Sequence, residues 1–251
     1  MVWTNRPAVV LGRNQNVWQE VNLKKLRDHP QTSLVRRESG GGCVYHDEGN
    51  INFTFFTKKH KPFDNLRIIQ QGLLNIGIKV ESSARHELLL EERKISGSAF
   101  RITGYDRSCY HHCTLLWDSD LNYLNSVLLP SEQQMQAIQS KATQSVRSVV
   151  TNIKDHFPYI EKEVIINEVI KSFMETYKSE CDEWEIFDQD TNQLLSMPEL
   201  QKTRLKFSSW EWIYGCTPPF TKTIDIQGDW GSLTLNFRCE KGIITNPTLH
   251  I

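Results

Sequence analysis

The sequence predicts an α/β protein of the α+β kind, in which a mixed β-sheet is flanked by helices. Three observations predict it: segments rich in β-branched and aromatic residues alternate with segments of helical period, no internal repeat or low-complexity block interrupts them, and no Pro/Gly/Ser linker divides the 251 residues. Hydrophobic residues make up 39% and 29 Lys and Arg face 30 Asp and Glu, a balance that excludes a disordered tail or a collagen-like polymer. No apolar run reaches the length of a membrane span, and the first residues lack a secretory apolar core. Six Cys without a C-x-x-C pair are too sparse for a disulfide scaffold, which points to a reducing compartment.

The elements follow in order. Pro7 to Gly12 (PAVVLG) reads as a strand closed by Gly, and Trp18 to Leu26 as a short helix. A Gly-rich turn at 40–42 leads to Asn50–Thr57 (NINFTFFT), a second strand. Leu66, Ile69, Leu73 and Ile76 recur at helical spacing behind Pro62 and Asp64. His86–Leu90 and Ser96–Phe100, parted by Glu91-Glu92-Arg93, suggest a hairpin, and Tyr110–Trp117 another strand. Residues 130–148 read as a long loop with some helix, and 162–177 as an amphipathic helix with Ile165, Val169 and Phe173 on its apolar face. From Ile224 onward, Leu233, Leu235 and Phe237 alternate between Gly231 and Gly242, a hairpin-like ending.

The neutral total hides an asymmetry. Residues 1–110 carry 17 Lys and Arg against 11 Asp and Glu, and residues 111–251 carry 12 against 19. A basic first part attracts phosphate groups through its summed field. The cations cluster around Gly turns and not along one aromatic-studded face, which argues against a nucleic-acid binder.

Four stretches bear on chemistry. In RRESGGGCVYHDEGNINFTF (36–55), three successive Gly indicate close backbone approach to a ligand or a turn with positive φ, and free N–H groups beside two Arg would suit carboxylate or phosphate oxygens. The stretch matches neither a Walker A loop nor a dinucleotide fingerprint. In RHELLLEERKISGSAFR (85–101), Lys94 precedes the small residues Ser96-Gly97-Ser98-Ala99; alone it reads as a solvated residue after a turn. CYHHCTLL (109–116) places two His between two Cys, but adjacent residues of a strand face opposite ways, so a core histidine on each face is preferred to zinc. In WEWIYG (210–215), Trp210 and Trp212 would share one face of a strand, for packing or for stacking on a base or sugar. Asp47 and Glu48 diverge too far for an acid/base pair, and no G-x-S-x-G elbow is present.

Taken in order, RRESGGGCVYHDEGNINFTF, KISGSAFR and YHHCTLL resemble the lipoate-protein ligase A and lipoyltransferase family. VVLGRNQNVWQEVN, SKATQSVRSVVTNI and SSWEWIYG extend the resemblance over nearly the whole chain, and the combination NINFTFFT, KISGSA and YHHCTLL looks more like the eukaryotic mitochondrial lipoyltransferases than the bacterial ligases, which share the plan. The resemblance implies the biotin/lipoate ligase catalytic fold. It implies that Arg37, Gly42, Cys43, Val44 and Tyr45 form the nucleotide and lipoyl-binding loop, that Arg85, Thr114, Val146 and Ser148 contact the ligand, and that Lys94 is the essential catalytic lysine; no metal ligand is assigned. Glu87 stands where many members have Asp.

The implied activity is transfer of a lipoyl group from lipoyl-AMP, lipoyl-GMP or a lipoylated carrier protein to a lysine. The acceptors are lipoyl domains of 2-oxoacid dehydrogenase acyltransferase subunits, and the glycine-cleavage carrier protein is a further partner. A complete ligase using lipoate, ATP and Mg²⁺ is the alternative, and a non-catalytic lipoyl- or nucleotide-binding module is the rival from another class. Neither nucleic acid nor membrane is an expected partner, and a monomer is expected. The implied location is the mitochondrial matrix, with the cytoplasm as alternative. Members carry an Asn-Leu-Ala-x-Glu helix ahead of these motifs and a small domain after them. The expectation is therefore a catalytic domain over residues 1–245 without its first strand–helix element, with 246–251 beginning a link to an absent C-terminal domain.

Overall fold

The computed structural model describes residues 1–58, 61–103, 108–178 and 196–250. The chain divides into two compact units. Among the described residues, unit one holds 1–6, 46–121 and 147–178, and unit two holds 7–45, 122–146 and 196–250. Each unit draws strands and helices from several parts of the sequence, so no linker marks the division.

Unit one is built on an antiparallel sheet in the order Val2–Trp3, Asn50–Thr57, Ser108–Leu116, Ser98–Thr103. The period-two pattern of the two central strands sets its faces. Ile51, Phe53 and Phe55 lie opposite Leu115, Cys113 and His111 and point into the core. The helices Pro62–Asn75 and Lys162–Tyr177 cover that face with Leu66, Ile69, Leu73, Ile165 and Val169. The first of these helices starts as its sequence predicts, with Pro62 in its first turn and Asp64 near the positive end of its dipole. It ends before Gly77, whose φ is +84°. At Gly72 the two helices touch backbone to backbone: a Cβ added there would lie 2.7 Å from the Val169 Cα.

A smaller antiparallel sheet runs Glu81–Ser82, Leu88–Leu90, Arg93–Ser96. The expected hairpin is therefore present but shifted. Glu91 and Glu92, both at positive φ, form its two-residue turn, and Lys94 lies inside the return strand. The chain leaves this sheet at Gly97 and enters the larger one at Ser98, because Ser98 to Thr103 pair with Ser108 to Cys113. The expected strand Ser96–Phe100 joins residues that belong to two sheets.

Unit two contains the strands Ser33–Arg36 and Ala8–Leu11 of a three-stranded sheet, whose third strand, Val44–His46, ends at the first residue of the next segment of unit one. The first two strands are parallel, and Ala8–Leu11 is buried along its length, as a central strand covered on both faces must be. The single helix expected over Trp18–Leu26 is two, Val17–Glu20 and Leu23–Arg27. Asn22 divides them: its side chain caps Lys25 N–H at 3.1 Å and its own N–H donates to Val127 O at 2.7 Å. The segment 130–148 holds the helix Glu132–Met135 and the strand Ile138–Ser140. That strand opens an antiparallel sheet continued by Phe220–Gly228, Gly231–Glu240 and Ile243–His250. Residues 246–250, expected to begin a link, are thus the end of a paired strand, and Ile251 lies outside the described residues.

We predict that Gly72→Ala lowers stability by about 1–3 kcal/mol, because overpacking against the Val169 backbone outweighs a helix-propensity gain of about 1 kcal/mol. Urea unfolding measures this, and an unchanged or raised midpoint would contradict the close approach.

Candidate functional site

In unit one the candidate residues converge on Lys94. Its backbone is fixed on the side away from the hairpin, where Lys94 N–H donates to Val149 O at 2.9 Å and Thr151 N–H donates to Lys94 O at 3.1 Å. On the hairpin side, Leu88 pairs with Ser96 and Leu89 with Lys94, so Ile95 is an extra residue in the ladder. Such a bulge re-aims the neighbouring side chain. The Lys94 side chain crosses Gly97: a Cβ on that glycine would lie 3.4 Å from Cε and 3.5 Å from Nζ. Gly97 is in turn tied to Thr114, whose Oγ1 accepts the Gly97 N–H at 2.9 Å and whose own N–H donates to Gly97 O at 2.9 Å. Lys94 Nζ donates to Glu87 Oε1 at 2.8 Å, with the two side chains 22% and 10% exposed. Arg85, half exposed, sits 3.8 Å from the same oxygen. Lys94, Arg85 and Thr114 are therefore neighbours, and the reading of Lys94 as a freely solvated cation is corrected.

In unit two the Gly run is held from beneath by arginines. Arg36 is almost wholly buried and donates to the carbonyls of Gly12, Arg13, Gln15 and Ile213 and to Thr217 Oγ1, at 2.7–3.2 Å. Burial pulls its guanidinium below the usual value. Arg37 donates to Val10 O, Gly40 O, Gly42 O and Ser39 Oγ, at 2.6–3.1 Å. Both guanidiniums thus shape main chain around the Gly run.

The glycines have separate reasons. Gly41 has φ +84°, a Cβ on Gly12 would meet Gly41 O at 2.0 Å, and one on Gly42 would meet Ser145 Oγ at 2.9 Å. Gly40 has open space around it.

Ser145 is a site residue that the motif reading passes over. Its Oγ accepts from Cys43 N–H at 2.8 Å and from Gln15 Nε2 at 3.0 Å, and its own N–H donates to the buried Glu20 carboxylate at 3.1 Å. The signal was available only as membership of the SKATQSVRSVVTNI block, since a lone Ser in a polar segment has no period. Val44 is half-buried. Cys43 and Tyr45 turn their side chains into the core, where the Tyr45 ring meets Tyr123 edge-on at 5.1 Å; their backbone, not their side chains, borders the loop. Burial pushes the Cys43 thiol up to about 12, with Glu20 adding to the shift and Arg37 opposing it. Val146, in unit two, and Ser148, in unit one, are both exposed.

Other candidates resolve into structure. His111 is buried on the core face with its Nδ1 3.1 Å from Asn65 Nδ2, while His112 faces the other way beside Tyr110, as strand geometry requires. Asp47 accepts the Gly49 and Asp120 N–H groups, at 3.0 and 2.9 Å, and Glu48 is exposed. Trp210 to Ile213 is helical, which corrects the strand expectation; Ser209 caps it, and local capping decides so short a segment. Trp212 is buried between the cations of Arg13 and Lys206, at 4.2 and 4.3 Å from its ring centre, and donates to Arg36 O at 2.7 Å. A largely apolar cavity of about 690 Å³ in unit one, bordered by Phe56, Phe173 and Tyr177, contains none of the expected site residues in its wall.

Residues 1–178 match the model of the lipoyl protein ligase A/B catalytic domain. The lipoate-protein ligase A of Bdellovibrio bacteriovorus is 39% identical over 255 residues, covering 99% of this chain and 73% of that protein. Among solved structures, P. falciparum LipL1 in complex with lipoate superposes with a TM-score of 0.72 at 30% identity, over 99% of this chain and 70% of its own. A bi-partite lipoate protein ligase from Thermoplasma acidophilum, determined in a study with its lipoyl domain, shares the fold at a TM-score of 0.65 and 24% identity, over 84% and 82% of the two chains.

We predict that Cys43 resists a thiol reagent at pH 8 until the protein is unfolded in urea. Its ordinary value is 9.0 and its folded value about 12, so its contribution to stability is complete below pH 9 and is lost as the pH rises toward 12. Labelling of folded protein at the rate of a free thiol, read by mass, would refute the burial.

Proposed function

The chain belongs to the lipoyl protein ligase A/B catalytic family, and we propose that it transfers a lipoyl group from lipoyl-AMP to a specific lysine of lipoyl domains in 2-oxoacid dehydrogenase complexes. The observation that carries this reading is the seat of Lys94. A cation on a bulged strand is anchored by backbone on one side and by Glu87 on the other, and lies across a glycine that leaves room for a ligand.

The chemistry follows from charge. In a mixed anhydride, the acyl carbonyl and the α-phosphate meet at one bridging oxygen. As the acceptor ε-amine adds to the carbonyl, negative charge builds on the carbonyl oxygen and then on the departing phosphate. An ammonium beside both positions stabilises that charge more in the transition state than in the ground state. Lys94 serves as that cation and forms no covalent bond. Within unit two, Arg37 fixes the shape of the Gly40–Gly42 loop, the segment that the motif resemblance assigns to ligand binding. Thr114 acts through Gly97 by holding the floor on which Lys94 lies.

The second reading within the family, a complete ligase that also forms the adenylate from lipoate and ATP with Mg²⁺, is favoured by the name of the Bdellovibrio relative. Here the carboxylate of lipoate attacks the α-phosphate of ATP, the bond to the β-phosphate breaks and pyrophosphate leaves, and Lys94 offsets the repulsion between the two reacting anions. We place the enzyme in the mitochondrial matrix on the resemblance of its motifs, with lipoyl-GMP or a lipoylated carrier as further donors.

Two experiments test this. Apo lipoyl domain offered with lipoyl-AMP, or with lipoate, ATP and Mg²⁺, should be lipoylated in the first mixture; product in the second as well selects the ligase reading. Lys94→Ala should lower transfer from lipoyl-AMP by a factor on the order of 10² or more while the chain stays folded by circular dichroism. Turnover at the wild-type rate in that variant removes Lys94 from the mechanism.

A further inference from the structure

We propose that Glu87 is the positioning residue for Lys94. It sets the direction of the ammonium by taking one of its three donors and leaves the other two for the acyl carbonyl and the phosphate. The inference rests on the reading of Lys94 as the cation of the transfer step.

Three observations carry it. Glu87 is buried at 8% exposure, and its carboxylate is held at both oxygens: Oε1 accepts from Lys94 Nζ at 2.8 Å, and Oε2 accepts from Ser83 Oγ at 3.3 Å. The backbone that carries Glu87 is fixed as well. Ser83 N–H donates to Glu87 O at 2.9 Å, His86 N–H donates to Ser83 O at 3.1 Å, and His86 at φ +59° closes the turn. Finally, strand geometry aims the pair. Leu89 lies opposite Lys94, and Glu87, two residues before Leu89, shares the face on which the Lys94 side chain projects.

A lysine has a long flexible stem, and a bond to an immobile acceptor removes most of its rotamer freedom. The short charge-assisted bond therefore fixes the ammonium before any ligand reaches it. Since an ammonium carries three N–H donors, one bond to Glu87 does not exhaust it. Arg85, at 3.8 Å from the same Oε1, keeps that oxygen's charge shared and adds a second cation nearby. Removing the carboxylate while preserving its shape should therefore disturb orientation more than binding.

The test compares wild type, Glu87→Gln and Glu87→Asp in transfer from lipoyl-AMP to apo lipoyl domain. It is paired with trace acetylation of lysines by acetic anhydride, quantified peptide by peptide without any turnover. We expect Glu87→Gln to lose about tenfold to a hundredfold in kcat, the scale of a misplaced reacting group, with KM for lipoyl-AMP changed by less than about threefold. Glu87→Asp, one methylene short of the contact, should fall between the two. Lys94 should be acetylated roughly threefold faster or more in Glu87→Gln than in wild type, as loss of an ion pair frees the amine.

A folded Glu87→Gln with the wild-type kcat overturns the proposal. So does a raised KM at unchanged kcat, or equal labelling of Lys94. If wild type itself transfers nothing, the transfer reading fails, and the labelling ratio still decides whether Glu87 governs Lys94.

Discussion

Unit two is organised by the burial of one guanidinium. Removing Arg36 from water carries a penalty of several kcal/mol, so its N–H groups need acceptors, and apart from the Thr217 hydroxyl those acceptors are main-chain carbonyls. The carbonyls of Gly12, Arg13 and Gln15 come from the turn that follows the first buried strand, and those of Ile213 come from the helix containing Trp212. A planar fork with fixed angles can satisfy them only in one arrangement. Segments 177 residues apart are thereby held in register without a sheet ladder between them. The adjacent Arg37 repeats the device on a smaller scale by gathering the carbonyls of the Gly loop.

The same logic divides what the sequence announced from what it did not. Asn50–Thr57, Tyr110–Trp117 and the helices at 62–76 and 162–177 were legible because burial imposes a period on them, and the two faces of His111 and His112 followed from that period alone. The hairpin at 86–100 was legible in kind but not in register. The turn is one residue shorter than its charged run, because Arg93 already pairs with Leu90, and the bulge at Ile95 has no signature in residue type. Trp210–Ile213 was misread since alternation over four residues suits either element, and a capping Ser decided the outcome. The division into two units left no trace, because it is made by contacts between distant segments and not by composition.

The roles of the site residues were legible to different depths. Lys94 stood out only once its neighbours matched a family pattern, although Gly97 gave a physical hint: a glycine next to a long cation leaves space beside it. The two Arg mark the Gly loop in the sequence, but a sequence reveals that a guanidinium is present and not which carbonyls it gathers. Ser145 and Glu20 are marked only by membership of matching blocks, being single polar residues whose contact joins segments 125 residues apart.

The interleaved make-up of the two units bears on how the chain comes off the ribosome. Val2–Trp3 pair with Phe53 and Asn52, and Asn50–Thr57 pair with Cys109–Leu116, made much later, so the sheet of unit one is not complete until synthesis has passed Leu116. The strand Ala8–Leu11 finds its parallel neighbour by Arg36, while the Arg36 side chain waits for acceptors at Ile213 and Thr217. In a nascent chain that ends before that point Arg36 keeps its water, and neither unit can be lifted from the gene as one uninterrupted piece.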